Sequence, residues 1–405
     1  MELKKLIKDQ LRDLPAFAAV RSSELEAGLA ELLAEPAGNA WLNQSADIVR
    51  DRLRHLVTDV KGQFVKRDQE AEAVAAALVS GVSLVLFGPP GTAKTALVKE
   101  FASRCGLGPV DEQPADEPGG RKSDRAEDEG RGFFEYLLTS HTMPEELFGG
   151  ADLQALTQHG KFQRVVTGKL PRAEIAFLDE MFRGGSHILN TLLTIINEKR
   201  FDRGDGGGTR HVPLLGLVGA ANMPPQDPDL EAFFDRFPLR VWVRSIFELA
   251  EEPADEEPTL TCKLLKAAVD GERLRLEAGW SPARERGNRA KRMRACTNDF
   301  RFARVHILRR SASVAQTSQR FIQFEQMFRL VRDRAKLSDR TFGQLWLFAT
   351  ALDWLRGCPD LTASFPSARG HLDVFRLVSR SAHDVAWLAD RVEQHTAGLQ
   401  HSSAA

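Results

Sequence analysis

The chain has 405 residues, room for two or three domains at roughly 100–200 residues each. Its 42% hydrophobic and 27% charged residues are ordinary for a globular protein, and a formal net charge of −1 excludes a molecule-wide bias towards nucleic acid or membrane surfaces. The four cysteines, Cys105, Cys262, Cys296 and Cys358, are far apart and form no CxxC pair, so they read as reduced thiols and exclude a disulfide framework or a zinc site.

The N-terminal stretch from Met1 to Lys5 runs into mixed charged and apolar sequence, which is not a signal peptide. No apolar run reaches the ~18 residues a membrane span needs, and a cytoplasmic protein is expected. Leu3, Leu6, Ile7, Leu11 and Leu14 fall at helical spacing, and Pro15 ends that segment. Leu25, Leu29, Leu32 and Leu33 make a second stripe, closed near Pro36 and Gly38; Ile48, Val49, Leu53, Leu56 and Val57 make a third. Residues 1–60 are therefore expected to form a helical extension, either a cap on the next domain or a docking platform.

Residues 82–87 are a short apolar run before glycine and proline, and predict a buried parallel strand. A helix through Phe101 follows. Residues 111–131 hold eight Asp/Glu, four Lys/Arg and no large apolar side chain, which predicts a disordered surface loop. Further strands are expected at 133–138, 174–178, 214–221 and 239–243, with a buried helix over 186–197. Strands alternating with helices imply a parallel sheet covered on both faces. From about 248 the sequence turns acidic and proline-bearing, then helical to the end, with its best segments at 345–355 and 371–394. Residues 281–310 carry ten Arg/Lys against Glu285 and Asp299. This basic insertion reads first as a solvated or inter-subunit face. Contact with an acidic partner or with nucleic acid is the weaker reading, because aromatic stacking positions are lacking.

The chemistry concentrates after the first strand. Gly88-Pro89-Pro90-Gly91-Thr92-Ala93-Lys94-Thr95, leading through Ala96 into a helix, matches G-x-x-x-x-G-K-[ST] except for Ala93. Glycines let such a loop wrap phosphates, with backbone N–H groups and the helix N-terminus facing the charge. Lys94 is placed to reach the β and γ phosphates, and Thr95 to ligate Mg²⁺. Asp179 and Glu180 end a buried strand, where open parallel sheets bind ligands. Asp179 is the second Mg²⁺ candidate, and Glu180 can polarise the attacking water. Asn222, after the fourth strand, can orient that water or contact the γ-phosphate; the plainer reading is a turn-forming Asn before Met223-Pro224-Pro225.

Together these residues resemble the MoxR family of AAA+ ATPases, most closely its RavA branch. The resemblance is carried by the phosphate loop, by Thr142-Met143-Pro144-Glu145-Glu146-Leu147-Phe148-Gly149, by residues 168–180 and by residues 189–198. It covers 62–247 strongly and 325–395 more weakly, and Ala93 is ordinary in that family. It implies that Asn222 is sensor 1, Arg236 the arginine finger and Arg340 the lid's sensor 2. The plain alternatives are an ion pair of Arg236 with Asp235 or a neighbour, and for Arg340 a surface arginine at a helix start capped by Ser338 or Asp339. It also implies an insertion over residues 148–173 and a hairpin over 201–212, both facing a ring pore; the alternative is two solvent loops.

The implied fold is α/β: an AAA+ P-loop αβα core with a parallel sheet over 61–247, an all-helical lid over 248–400, and the helical N-terminal extension. The family's auxiliary domain after the lid is not expected. The implied cofactors are ATP and Mg²⁺, with ATP over GTP inferred from the resemblance alone. The implied assembly is a ring, most simply a hexamer. The leading expectation is a motor that remodels a protein client beside a von Willebrand factor A-domain partner, without membrane insertion. The competing expectations are a nucleotide-gated scaffold of a bacterial defence or signalling system, and a nucleic-acid translocase.

Overall fold

The computed structural model describes residues 36–109, 132–246 apart from 161, 207, 226, 228 and 229, then 248, 295, 297–313, 319–358 and 370–402. The first two expected N-terminal stripes, the acidic stretch 111–131 and the densest part of the basic insertion, 281–294, lie outside them.

Helix α1 (Pro36–Lys61) is continuous. Gly38 does not interrupt it, since one interior glycine costs only about 1 kcal/mol. Val49, Leu53, Leu56 and Val60 share one face and are buried. Helix α2 (Asp68–Ser80) carries no polar stripe; Ala71 and residues 73–79 are buried all round, so periodicity does not reveal it. Strand β1 (Leu84–Phe87) is wholly buried and turns through the phosphate loop into α3 (Lys94–Arg104). The short β2 (Gly108–Pro109) and β3 (Gly132–Leu137) follow, then two small helices, α4 (Pro144–Phe148) and α5 (Leu153–His159). Strand β4 (Ala173–Asp179) leads to a 3₁₀ turn, Met181–Arg183, and α6 (Ser186–Glu198). The antiparallel hairpin β5 (Arg200–Asp202) and β6 (Thr209–His211) precedes β7 (Gly216–Ala221), the single turn α7 (Glu231–Phe234) and β8 (Leu239–Trp242).

The six sheet strands are all parallel, in the order β2-β3-β4-β7-β1-β8. Successive residues point to opposite faces. Leu84 and Leu86 join a core with α1, α2 and α3, while Val85 and Phe87 join a second core with α6. That alternation is the αβα sandwich. The register Phe87↔Ala221 and Phe87↔Trp242 aligns the carboxyl ends of β1, β7 and β8 on one edge.

The C-terminal part is helical: α8 (Thr297–Ser313), α9 (Gln319–Ala335), α10 (Asp339–Leu355), α11 (Gly370–Asp373) and α12 (Ala382–Ser402). Helices α8 and α10 pack on α1 and α2 within the first core. Two sequence expectations change here. The single helix over 371–394 is broken: a 3₁₀ turn, Val374–Leu377, buries Phe375 and Leu377, and a new helix starts where Asp384 N donates to Ser381 Oγ (3.3 Å). The described part of the basic stretch is also not a solvated face. Arg301 is 4% exposed, paired with Glu174 at 3.0 Å, and Arg304 donates to the carbonyls of Leu78, Val79 and Leu215 at 2.6–3.0 Å. These arginines staple α8 to the end of α2 and the start of β7.

Candidate nucleotide site

The loop after β1 is shaped by close backbone approach. Gly88 N donates to Ala221 O at 3.3 Å, and a Cβ on Gly88 would stand 2.2 Å from Val243 O. Pro89, Pro90 and Gly91 form an exposed crest, and Ala93 enters α3 in the left-handed region at φ 67°. A non-glycine residue there costs roughly 1–2 kcal/mol, which the surrounding loop must hold. Thr92 Oγ1 donates to Pro89 O at 2.9 Å. Lys94 Nζ, buried, donates to the carbonyls of Gly88 and Pro89 at 2.8 Å each. Burial lowers the Lys94 pKa, and the charges of Asp179 and Glu180 oppose that shift.

The carboxyl end of β4 lies beside this loop. Asp179 Oδ2 accepts from Thr95 Oγ1 at 3.3 Å, and its Oδ1 accepts from the backbone N of Glu180 at 2.9 Å. Glu180 has φ 49°, a left-handed conformation that swings its carboxylate off the strand line. Its Oε1 accepts from Asn222 Nδ2 at 2.8 Å, and its Oε2 lies 3.4 Å from Arg183 Nε. Lys94, Thr95, Asp179, Glu180 and Asn222 thus converge from three strand ends. A hydroxyl and a carboxylate are hard oxygen donors suited to Mg²⁺, and the exposed crest followed by the α3 N-terminus suits a polyphosphate.

The two predicted arginines have other neighbours. Arg236, half-exposed just after α7, donates from Nη1 to Asn197 Oδ1 at 3.2 Å. Arg340 is exposed in the first turn of α10, after Ser338 at the N-cap position, while its neighbour Asp339 pairs with Arg332 at 3.0 Å.

Two further features escaped the sequence. Arg67, 2% exposed, donates from Nε to Thr92 O (3.3 Å) and from Nη2 to Arg244 O (2.8 Å), bracing the phosphate loop against the segment after β8. A lone arginine before an alanine-rich helix carries no motif. Next to it, Asp68, Glu72, Leu352, Arg356, Arg376 and Leu377 line a cavity of about 320 Å³ between α2 and the C-terminal helices.

Comparison with known proteins agrees with this geometry. Residues 51–109 and 121–252 match the family model described as the MoxR domain in the MoxR-vWA-beta-propeller ternary systems. Two uncharacterised proteins of Methanocaldococcus jannaschii are similar: one is 34% identical over 198 residues (49% of this chain, 45% of that protein), the other 32% over 228 residues (56% and 54%). A structural protein of the Acidianus two-tailed virus is 27% identical over 214 residues, 52% of this chain and 31% of that protein. The chain thus spans about half or less of the length of these relatives. A crystal structure of a candidate ATPase from Cytophaga hutchinsonii superposes with a TM-score of 0.56 at 15% identity, covering 86% of this chain and 94% of that one. That likeness shows the fold alone: a parallel α/β core followed by a helical C-terminal part.

Proposed function

We propose, on the footing that this chain carries a MoxR-type AAA+ core, that it hydrolyses ATP with Mg²⁺ at the carboxyl ends of β1, β4 and β7. The observation that carries this reading is the convergence of Thr95 on Asp179 and of Asn222 on Glu180. Thr95 and Asp179 would hold the metal, which supplies charge neutralisation at the phosphates. Lys94 would leave the loop carbonyls for the β and γ phosphates. Glu180, held by Asn222, would take up the proton of the attacking water.

Among the described residues, the cation paired with Glu180 is Arg183, at 3.4 Å. Arg236 is half-exposed and bonded to Asn197, which fits a finger offered to a partner subunit and hence a ring. Such arginines are worth about 10³–10⁵ in rate in other NTPases. Arg340 remains the lid arginine proposed from resemblance. RavA-like membership, a hexamer, a cytoplasmic location, a remodelled client and a von Willebrand factor A-domain partner are the finer parts of the proposal. The partner draws on the ternary systems named by the matching family model. Among the described residues no helix is long and apolar enough to cross a membrane. The insertion offers a contact surface for client or partner: Leu153, Phe162 and Val165 are exposed, and Arg164 N donates to Arg203 O of the hairpin at 3.1 Å.

A second reading, a nucleotide-gated scaffold with slow turnover, draws on the match to the viral structural protein. Steady-state ATPase assays separate the two. Turnover of at least about 1 per second, lost in Lys94→Ala, supports the motor; tight ATP binding with hydrolysis orders of magnitude slower supports the scaffold. Failure to bind any nucleoside triphosphate rejects both.

A further inference from the structure

The turn that bears Arg236 is tied to the C-terminal helices by an ion pair. Glu231 opens α7, and Asp235 N and Arg236 N donate to the carbonyls of Glu231 and Phe233 at 2.9 and 3.1 Å, so the turn moves as one unit. Arg380 Nη2 donates to Glu231 Oε2 at 2.6 Å, and the Arg380 guanidinium lies 5.1 Å from the centre of the Phe234 ring. Phe234 in turn packs edge-on against Phe87, the residue before Gly88, and against Phe182, two residues after Glu180.

Arg380 belongs to the break between the two last helices. That break is anchored to β8: Trp242 Nε1 donates to Ser379 O and Arg240 Nη1 to Val378 O, each at 3.4 Å. Arg240 also donates to Ala335 O at 3.1 Å, at the end of α9. One short turn therefore meets the nucleotide side of its own subunit through Phe234, the lid through Glu231, and the subunit surface through Arg236.

We propose that Glu231 and Arg380 are positioning residues, whose ion pair ties α7 to the lid so that the lid of one subunit sets where its Arg236 stands in the partner subunit's site. The inference rests on the trans role proposed above for Arg236. The Glu231 side chain is 45% exposed and that of Arg380 18%, and pairs this accessible contribute little to stability. Removing the pair leaves Phe233 and Phe234 buried and the fold in place, and loosens the turn from the lid, where the longer Lys336–Glu231 contact (3.9 Å) remains for Arg380→Gln.

The test uses mixed full-length subunits. Arg236→Ala keeps its site and lacks a finger; Glu180→Gln keeps its finger and lacks turnover. Activity recovered on mixing comes from a Glu180→Gln finger in an Arg236→Ala site. Adding Glu231→Gln or Arg380→Gln to the finger donor is expected to lower the recovered kcat about tenfold with the KM for ATP unchanged, a coupling within the usual ~5–150-fold range. The two together are no worse than either, as for residues acting as one unit. Glu231→Gln in the finger-lacking subunit leaves recovery unchanged. So does Arg334→Gln in the donor, which removes another lid ion pair, to Asp384 at 2.7 Å. Equal loss from either placement, or no loss from the donor, overturns the coupling while leaving the trans finger intact. No recovery in the parent mixture, with subunit exchange shown, overturns the trans role and this inference with it.

Discussion

At the residue scale the site depends on strain and on close approach. Glu180 holds φ 49° with its carboxylate fixed by Asn222, so Glu180→Gln preserves that hydrogen bond and the backbone while removing the proposed base. It is expected to bind ATP like the wild type and to lose about 10²–10⁴-fold in turnover, read from parallel binding and hydrolysis assays. Gly219 is a packing requirement: a Cβ there would stand 1.9 Å from Met181 Sδ, directly after Glu180. Gly219→Ala should destabilise by about 1–3 kcal/mol, seen as a lower midpoint in urea. Lys199 Nζ is buried without a hydrogen-bond partner among the described residues, and burial, aided by the charge of Arg304, brings its pKa down to about 7. Unfolded lysine titrates near 10.4, so between about 7 and about 10.4 the unfolded chain binds more protons and wild-type stability rises with pH. Lys199→Met should therefore gain most in melting temperature at or below about pH 7, and the gain should vanish by about pH 10. A gain independent of pH would contradict a buried ammonium. The meeting of Thr95 with Asp179 was legible because short motifs place both beside the ends of buried strands. Arg67 was not, since its partners Thr92 and Arg244 meet it only in the folded chain.

At the element scale, five of the six described sheet strands were legible within about two residues because each is an apolar run bounded by turn chemistry; the two-residue β2 carries no such run and was not. The helix over residues 68–80 was not, because a helix buried all round has no polar face to set a period. The basic run misled for a related reason: composition shows charge, not which carbonyls receive it. Arg304 closes three of them, at Leu78, Val79 and Leu215. Arg304→Met should leave those acceptors poorly satisfied and cost about 1–3 kcal/mol, loosening α8 from the sheet. Faster amide exchange in α8 than in β4 would show it. An unchanged unfolding midpoint would mean that water replaces the guanidinium without loss. The break before the last helix was hidden because Phe375, Leu377 and Leu388 keep an apolar rhythm through it, while the cap at Ser381 and Asp384 decides the new start.

At the scale of the whole molecule, the parallel sheet brings Lys94, Asp179, Glu180 and Asn222 to one edge, while Arg236 reaches Asn197 on α6. On the proposed reading, a complete site needs two subunits. The central claim is this shared site, and the mixing of two inactive variants tests it most directly. Arg236→Ala should bind ATP and lose most turnover, and Glu180→Gln should do the same for a different reason. In a mixed ring an intact Glu180 from the first variant can stand beside an intact Arg236 from the second. The account predicts that mixing restores measurable ATPase activity to two preparations that each lack it. If subunits exchange and no activity returns, Arg236 does not act across a boundary, and the shared-site account is contradicted.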